Sequence, residues 1–228
     1  MNFGKSFTYI FDDPDWFSKL WKPVLCLLIP IIGPFIWQGY LLNVTKNVVN
    51  GGPRPLHHMD FSDELSVGFK YFLIELVYSI PIVLLALLPS LLIPGAMELF
   101  RSDANSTSVA IGIIVQLAFT VVSFFVSAFY MFVFPAISAN VAVKGTFESG
   151  FEFKTFFAMF KRNLPAWLLV LAGQLLAGLI APIGAIVLII GAIVTSAYAG
   201  LMTAHLAGQA YRESQVPIAS PPNVYPPI

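Results

Sequence analysis

Charge is scarce in this 228-residue sequence. Asp, Glu, Lys and Arg make up 11% of it, against about a quarter in ordinary soluble domains. That shortage excludes a water-soluble globule of the usual kind. It also excludes a disordered chain, which needs low hydrophobicity and many charges. A basic nucleic-acid binder is excluded because 12 Lys+Arg balance 12 Asp+Glu. Cysteine is scarcer still: Cys26 stands alone, so neither an intrachain disulfide nor a cysteine-based metal cluster is expected. The Asp-rich start lacks a basic n-region ahead of a short apolar core, so no cleaved signal peptide is expected. The missing charges are also concentrated. No Asp, Glu, Lys or Arg occurs in 23–45, 76–97, 104–143 or 163–211.

Those blocks are filled with apolar residues, which form 57% of the chain. About 20 such residues in a row span a hydrocarbon core as a helix. The expected architecture is all-α: a polytopic helical membrane bundle with a broken or re-entrant first hairpin and two amphipathic interfacial helices. One integral membrane domain is expected over 1–213. A Pro-rich cytoplasmic tail is expected over 214–228, where five prolines disfavour helix.

Asp13-Pro14 reads as a helix start, with Asp13 capping and Pro14 at the first helical position. The apolar run that follows contains Pro30, Gly33 and Pro34 in IPIIGP, a strong breaker. Residues 14–49 therefore cross once as a kinked helix, cross twice as short helices, or re-enter. Phe61, Leu65, Phe69 and Phe72 lie at helical spacing and predict an amphipathic helix feeding a crossing over about 71–93, kinked at Pro81 and Pro89. The block 107–143 predicts a crossing near 109–131 and an extension past Pro135. Phe153, Phe156, Phe157 and Phe160 predict a second amphipathic helix. Residues 163–211 must cross twice, over about 165–180 and 184–209, turning at Ala181-Pro182-Ile183-Gly184.

A weak internal echo joins the two ends. DPDW at 13–16 and LPAW at 164–167 share Pro and Trp, and the same offset places Gly33 on Gly184. Tyr40 and Thr45 then echo Tyr198 and Thr203. Basic residues weigh the topologies. A single first crossing splits Lys+Arg as 4 to 8, whereas a hairpin splits them as 11 to 1. Positive-inside bias favours the hairpin, with both termini cytoplasmic.

The sequence resembles a family of uncharacterised prokaryotic multi-pass membrane proteins defined only as a domain of unknown function. The resemblance rests on FDDPDW, on LIPIIGPFIWQGY with the NGG loop after it, on DFSDELSVGFKYFLIELVY, and on AYAGLMTAHLAGQAY. It implies a helical domain in the cytoplasmic (inner) membrane of a prokaryote and no established activity.

No enzyme constellation is legible, so no catalytic, cofactor-binding or metal residue is assigned and no cofactor is expected. His57, His58, Asp60, Asp63 and Glu64 read as a surface loop lacking metalloprotease spacing. The intramembrane polar residues Asn43, Glu75, Gln116, Asn140, Gln174 and His205 join Pro30, Gly33 and Pro34 as candidate structural or functional positions. Glu75 calls for a partner, and Lys70 or Lys46 is expected to approach it. The small-residue stripe Ala197, Gly200, Ala204 and Gly208 predicts a close helix or subunit interface. The leading expectation is a non-enzymatic membrane accessory, scaffold or assembly subunit, with lipids and a protein partner or second copy as its contacts and no nucleic acid. The alternative is a small-molecule or ion transporter or channel that uses the discontinuity at 30–34.

Overall fold

A computed structural model of the chain describes residues 1–99 and 106–215, and its regular elements are all helical. In chain order they are α1 (Lys5–Thr8), α2 (Trp16–Cys26), α3 (Ile32–Val49), α4 (Phe61–Leu99), α5 (Ser106–Lys144), α6 (Phe153–Arg162), α7 (Leu164–Ile180) and α8 (Leu188–Gln215). Short 3₁₀ segments at Glu148–Phe151 and Ala181–Val187 lead into α6 and α8. Four stretches are long and apolar enough to cross a membrane: Phe61–Leu85, Gly112–Lys144, Leu164–Ile186 and Ile190–Gln215. The chain is a membrane protein with several spans.

The bundle is organised around α3, which is not one of those four. It packs against α4, α8, α5 and α2, and Ile36, Trp37, Tyr40, Leu42, Val44 and Val48 are all buried along it. Its approach to α4 is backbone on backbone. A Cβ on Gly39 would sit 1.9 Å from the Glu64 carbonyl oxygen, and one on Gly68 would sit 1.8 Å from that of Phe35. Only hydrogen fits at either position. Against α8 the contact uses the predicted small-residue stripe: Ala197 and Ala204 are buried, and a Cβ on Gly208 would lie 2.8 Å from the Thr45 carbonyl oxygen. The stripe is therefore consumed within the chain.

Several boundaries differ from the sequence reading. The helix after Asp13 begins at Trp16, with Asp15 in the flanking position. Asp13 instead accepts the Asp15 backbone N–H at 3.1 Å and the Lys19 ammonium at 2.7 Å. An Asx-type turn has replaced a cap, because Asp side chains readily bond the backbone two residues on. Phe61–Leu99 is one helix, continuous through Pro81, and α5 is a single helix through Pro135. The part of α5 beyond Pro135 lies in the core, with Ala136, Ile137, Ala139 and Asn140 buried. Asn163 caps α7 by accepting the Ala166 N–H, with Pro165 behind it in the first turn. In the α6 stripe, Phe156 is buried and Phe160 stacks on Phe132, while Phe153 and Phe157 stay exposed. The turn at 181–184 is present, but α8 starts at Leu188 and runs through Ser214. Ser214 accepts the Trp167 indole N–H at 3.0 Å, and 216–228 lie outside the described residues.

These contacts predict opposite outcomes at two glycines. Gly68→Ala forces α3 off α4 and costs about 1–3 kcal/mol or more. Gly178→Ala, where a Cβ meets nothing within 4 Å, is neutral or stabilises by up to about 1 kcal/mol. Thermal unfolding in detergent compares them, and equal melting points would contradict the backbone contact.

Candidate functional site

A cavity of about 410 Å³ lies among α3, α4, α5, α7 and α8. Its wall is mostly apolar, with a few polar groups: Gln38 and Thr45 from α3, Tyr71 and Glu75 from α4, Ser138 from α5, Gln174 from α7 and Thr203 from α8. Pockets of this size and lining are the usual form of small-ligand sites.

The hydrogen bonding of this wall has a direction. Thr45 donates to the Leu41 carbonyl at 2.9 Å, Thr203 to that of Ala199 at 3.0 Å, and Ser138 to that of Pro135 at 3.0 Å. Each hydroxyl proton is thereby committed to its own helix, leaving oxygen lone pairs as the unspent capacity. The Gln174 side-chain oxygen is buried without a hydrogen-bond partner. Glu75 forms no ion pair among the described residues; Lys70 and Lys46, expected to approach it, are exposed instead. The wall thus carries spare acceptor capacity around an unpaired carboxylate, beside the donors of the Gln38 and Gln174 amides and the Tyr71 hydroxyl.

Glu75 and Gln174 are thus the predicted site residues that the fold brings together. The others serve different places. Asn43 donates to Asp63 at 2.9 Å and to Glu64 at 3.1 Å, while His57 Nε2 lies 2.5 Å from Glu64. The His57 ring stacks on Tyr40, whose hydroxyl donates to the His57 carbonyl. Glu64 is fully buried, so the segment read as a surface loop is in part a polar clamp on α3. Burial of the carboxylate is tolerated because the Asn43 amide and the His57 ring both bond it. Among the described residues no three His, Cys, Asp or Glu side chains are placed to hold a metal.

Asn140 is fully buried and joins three elements, donating to the Ser149 carbonyl and Glu152 and accepting from Tyr211. His205 Nδ1 lies 2.9 Å from Ser6 Oγ and 2.8 Å from Gln209 Nε2, with the Tyr9 ring stacked on it. Gln116 is exposed on α5. Pro30 and Pro34 are exposed at the α2–α3 break, and Gly33 is buried where a Cβ would lie 1.9 Å from the Cys26 carbonyl. None of these three is among the residues lining the cavity.

Residues 24–195 match the model of a family described as "Protein of unknown function (DUF4013)". The chain belongs to this family. No curated protein and no solved structure matches it. The DUF4013 match takes in Gln38, Thr45, Tyr71, Glu75, Ser138 and Gln174, while Thr203 and the His205 cluster fall beyond it.

Sequence reasoning missed Gln38, Tyr71, Ser138 and the two threonines as site residues. Thr45 and Thr203 did carry a signal, being paired positions in the internal echo. Ser138 lies in the extension past Pro135, AISANVAVK, whose small and polar residues suit the lining of a bundle.

Outside the spans, Asp13 is titratable in a revealing way. Burial pushes its carboxyl up, but the Lys19 ammonium, the Asp15 N–H and the charge of Arg54 outweigh that and hold it below the ordinary carboxylate range. A depressed folded-state value gives stability that is fully present above the unfolded carboxylate value of about 3.9 and lost as pH falls through the folded one. Acidification below about pH 4 is expected to lower the melting point of the wild type, and Asp13→Asn to flatten that fall. Melting curves across acid pH check it, and an unchanged slope in the variant would contradict the assignment.

Proposed function

We propose that this DUF4013 protein is a non-enzymatic integral membrane protein that binds a small hydrogen-bond-donating cation, of the ammonium or amine type, in the Glu75 cavity. The function class is that of a transporter or solute-binding membrane protein. The observation that carries the reading is a group of unspent acceptors on one wall: a carboxylate with no ion pair among the described residues, an orphaned amide oxygen, and hydroxyls whose protons are already used. A donor-bearing cation is the chemistry that satisfies all of them at once. The Pro30–Pro34 break serves this reading as a structural turn rather than as part of the path.

The membrane arrangement we infer is a hairpin of α2 and α3 that re-enters from the side of both termini, with that side cytoplasmic and the membrane that of a prokaryote. At about 1.5 Å per residue the 11-residue α2 is about 16 Å long, half of what a crossing needs. Exposed Leu28, Ile29, Ile31 and Ile32 cluster at the hairpin tip, as suits a turn inside the apolar layer. Contacts between Asn2 and Gln209 put the amino terminus beside the carboxyl-terminal part of α8, which supports an even number of crossings. The exposed Phe153 and Phe157, beside Lys154 and Lys161, support an in-plane α6.

A second reading, an accessory or assembly subunit, is favoured by one observation. Leu84 on α4 and Ile113, Leu117, Phe124 and Phe125 on α5 are exposed and apolar, a flank for lipid, a protein partner or a second copy.

Thermal shift of the detergent-solubilised protein against sodium, potassium, ammonium, tetramethylammonium and spermidine separates the two. A true ligand at about a hundred times its Kd adds about 2.7 kcal/mol, several degrees for a chain of this size. We expect at least one amine or ammonium probe to stabilise the wild type, and Glu75→Gln and Gln174→Leu to abolish the shift. No shift with any probe, together with a stoichiometric partner in native purification, would move the assignment to the accessory role.

A further inference from the structure

A second cavity, of about 490 Å³, opens where the amino terminus meets the end of α8. We propose that it is an anion site, in which Lys5 and Arg212 bind a phosphate group carried by an anionic lipid headgroup or by a soluble phosphorylated solute. Its unpaired charges are cationic, whereas the unpaired charge of the other cavity is the Glu75 carboxylate.

The walls are tied in place. Gln209 accepts the Asn2 backbone N–H at 2.6 Å and donates to the Asn2 carbonyl at 3.1 Å, so α8 holds the first turn of the chain. The Tyr9 hydroxyl donates to the Leu201 carbonyl, fastening the same segment lower down. On the other side the 51–55 loop turns at Gly51, with φ of +76°, and Asn47 clips it by donating to the Pro55 carbonyl at 2.9 Å. Two of its lining residues, Pro53 and Pro55, stiffen it further.

The charges inside are unbalanced. Lys5 and Arg212 both line the cavity, and neither has an acidic partner within 4 Å among the described residues. Among the described residues, Arg212 donates to the Val48 carbonyl, at 3.5 Å. The one lining carboxylate, Glu213, is taken by the Met1 amino group and the Asn163 amide. His205 and Gln209 line the same wall. The Lys5 and Arg212 side chains are both exposed at the mouth of the pocket, so an anion entering it would meet two cations. Arg offers a planar fork of donors and Lys a point charge, the pair that phosphate oxygens suit. The site lies at the terminal side of the bundle that gathers most of the basic residues, where anionic headgroups are attracted.

The test places the full-length protein in nanodiscs and reads its melting point with two probes. One is inorganic phosphate added to phosphatidylcholine discs; the other is an equal mixture of phosphatidylcholine and phosphatidylglycerol. Stabilisation by phosphate in phosphatidylcholine assigns a soluble ligand, and stabilisation only in the mixed discs assigns a headgroup. In either case Lys5→Gln and Arg212→Gln are expected to weaken binding about tenfold or more each, as loss of one charged hydrogen bond does. Lys5→Arg retains binding, and Lys161→Gln, on α6 outside the cavity, leaves it unchanged. Glu75→Gln also leaves it unchanged, so failure here and failure of the cation reading are told apart. The proposal is overturned if neither probe stabilises the wild type, or if both Gln variants respond as the wild type does.

Discussion

The contact on which the rest of this structure depends is the direct meeting of two backbones, α3 against α4, at Gly39 and Gly68. Separations under 2 Å for an added Cβ mean that the helices touch with no side chain between them. Such contact supplies dispersion along the whole seam where lipid supplies no hydrophobic driving force. It also lets a helix too polar to face lipid become the centre of the bundle. Gln38, Asn43, Thr45 and Asn47 would each be costly in hydrocarbon. Here Asn43 bonds the acidic start of α4, Asn47 bonds the Pro55 carbonyl, and Thr45 bonds its own helix and lies 3.3 Å from the Ala204 carbonyl.

The cavity follows from the same geometry. Where α3 meets α4 and α8 through glycine and alanine, the helices are close. Beside those seams, between α3, α4, α5, α7 and α8, a mostly apolar space with a few polar groups remains. Its acceptors are fixed by helix geometry, since a Ser or Thr within a helix spends its proton on the preceding turn. The complementary arrangement occurs at the terminal end, where Lys5 and Arg212 lack acids. Two spaces of opposite chemistry are thus built on the two sides of His205, Gln209 and the α8 stripe.

Much of the fold was legible in the sequence, and the reason is physical. Charge cannot be left in lipid, so the gaps in charge marked α4, α5, α7 and α8, and Pro and Gly marked the turns at 30–34 and 181–184. Gly33 and Gly184, paired in the echo, both sit where a helical turn closes on backbone, with 1.9 Å and 2.0 Å to the nearest carbonyl oxygen. Glu75 and Gln174 stood out as polar residues in apolar runs. What was not legible is non-local. The central role of α3 was hidden because its polar residues dilute its hydropathy. The clamp of Asn43 and His57 on Glu64 ties α3 to the loop and helix after it, and the seating of Ser6 on His205 joins segments 199 residues apart; no local period announces such contacts.

The membrane arrangement proposed above turns on α2 and α3 forming a hairpin rather than one kinked crossing. A hairpin leaves exposed Asp12 and exposed Lys154 on one face of the membrane, whereas a single crossing places them on opposite faces. Labelling of Asp12→Cys and Lys154→Cys, each in a Cys26→Ala background, with a membrane-impermeant maleimide on sealed inside-out and right-side-out vesicles reads this directly. The account predicts that both positions label from the cytoplasmic side alone. Labelling of the two from opposite sides would contradict it.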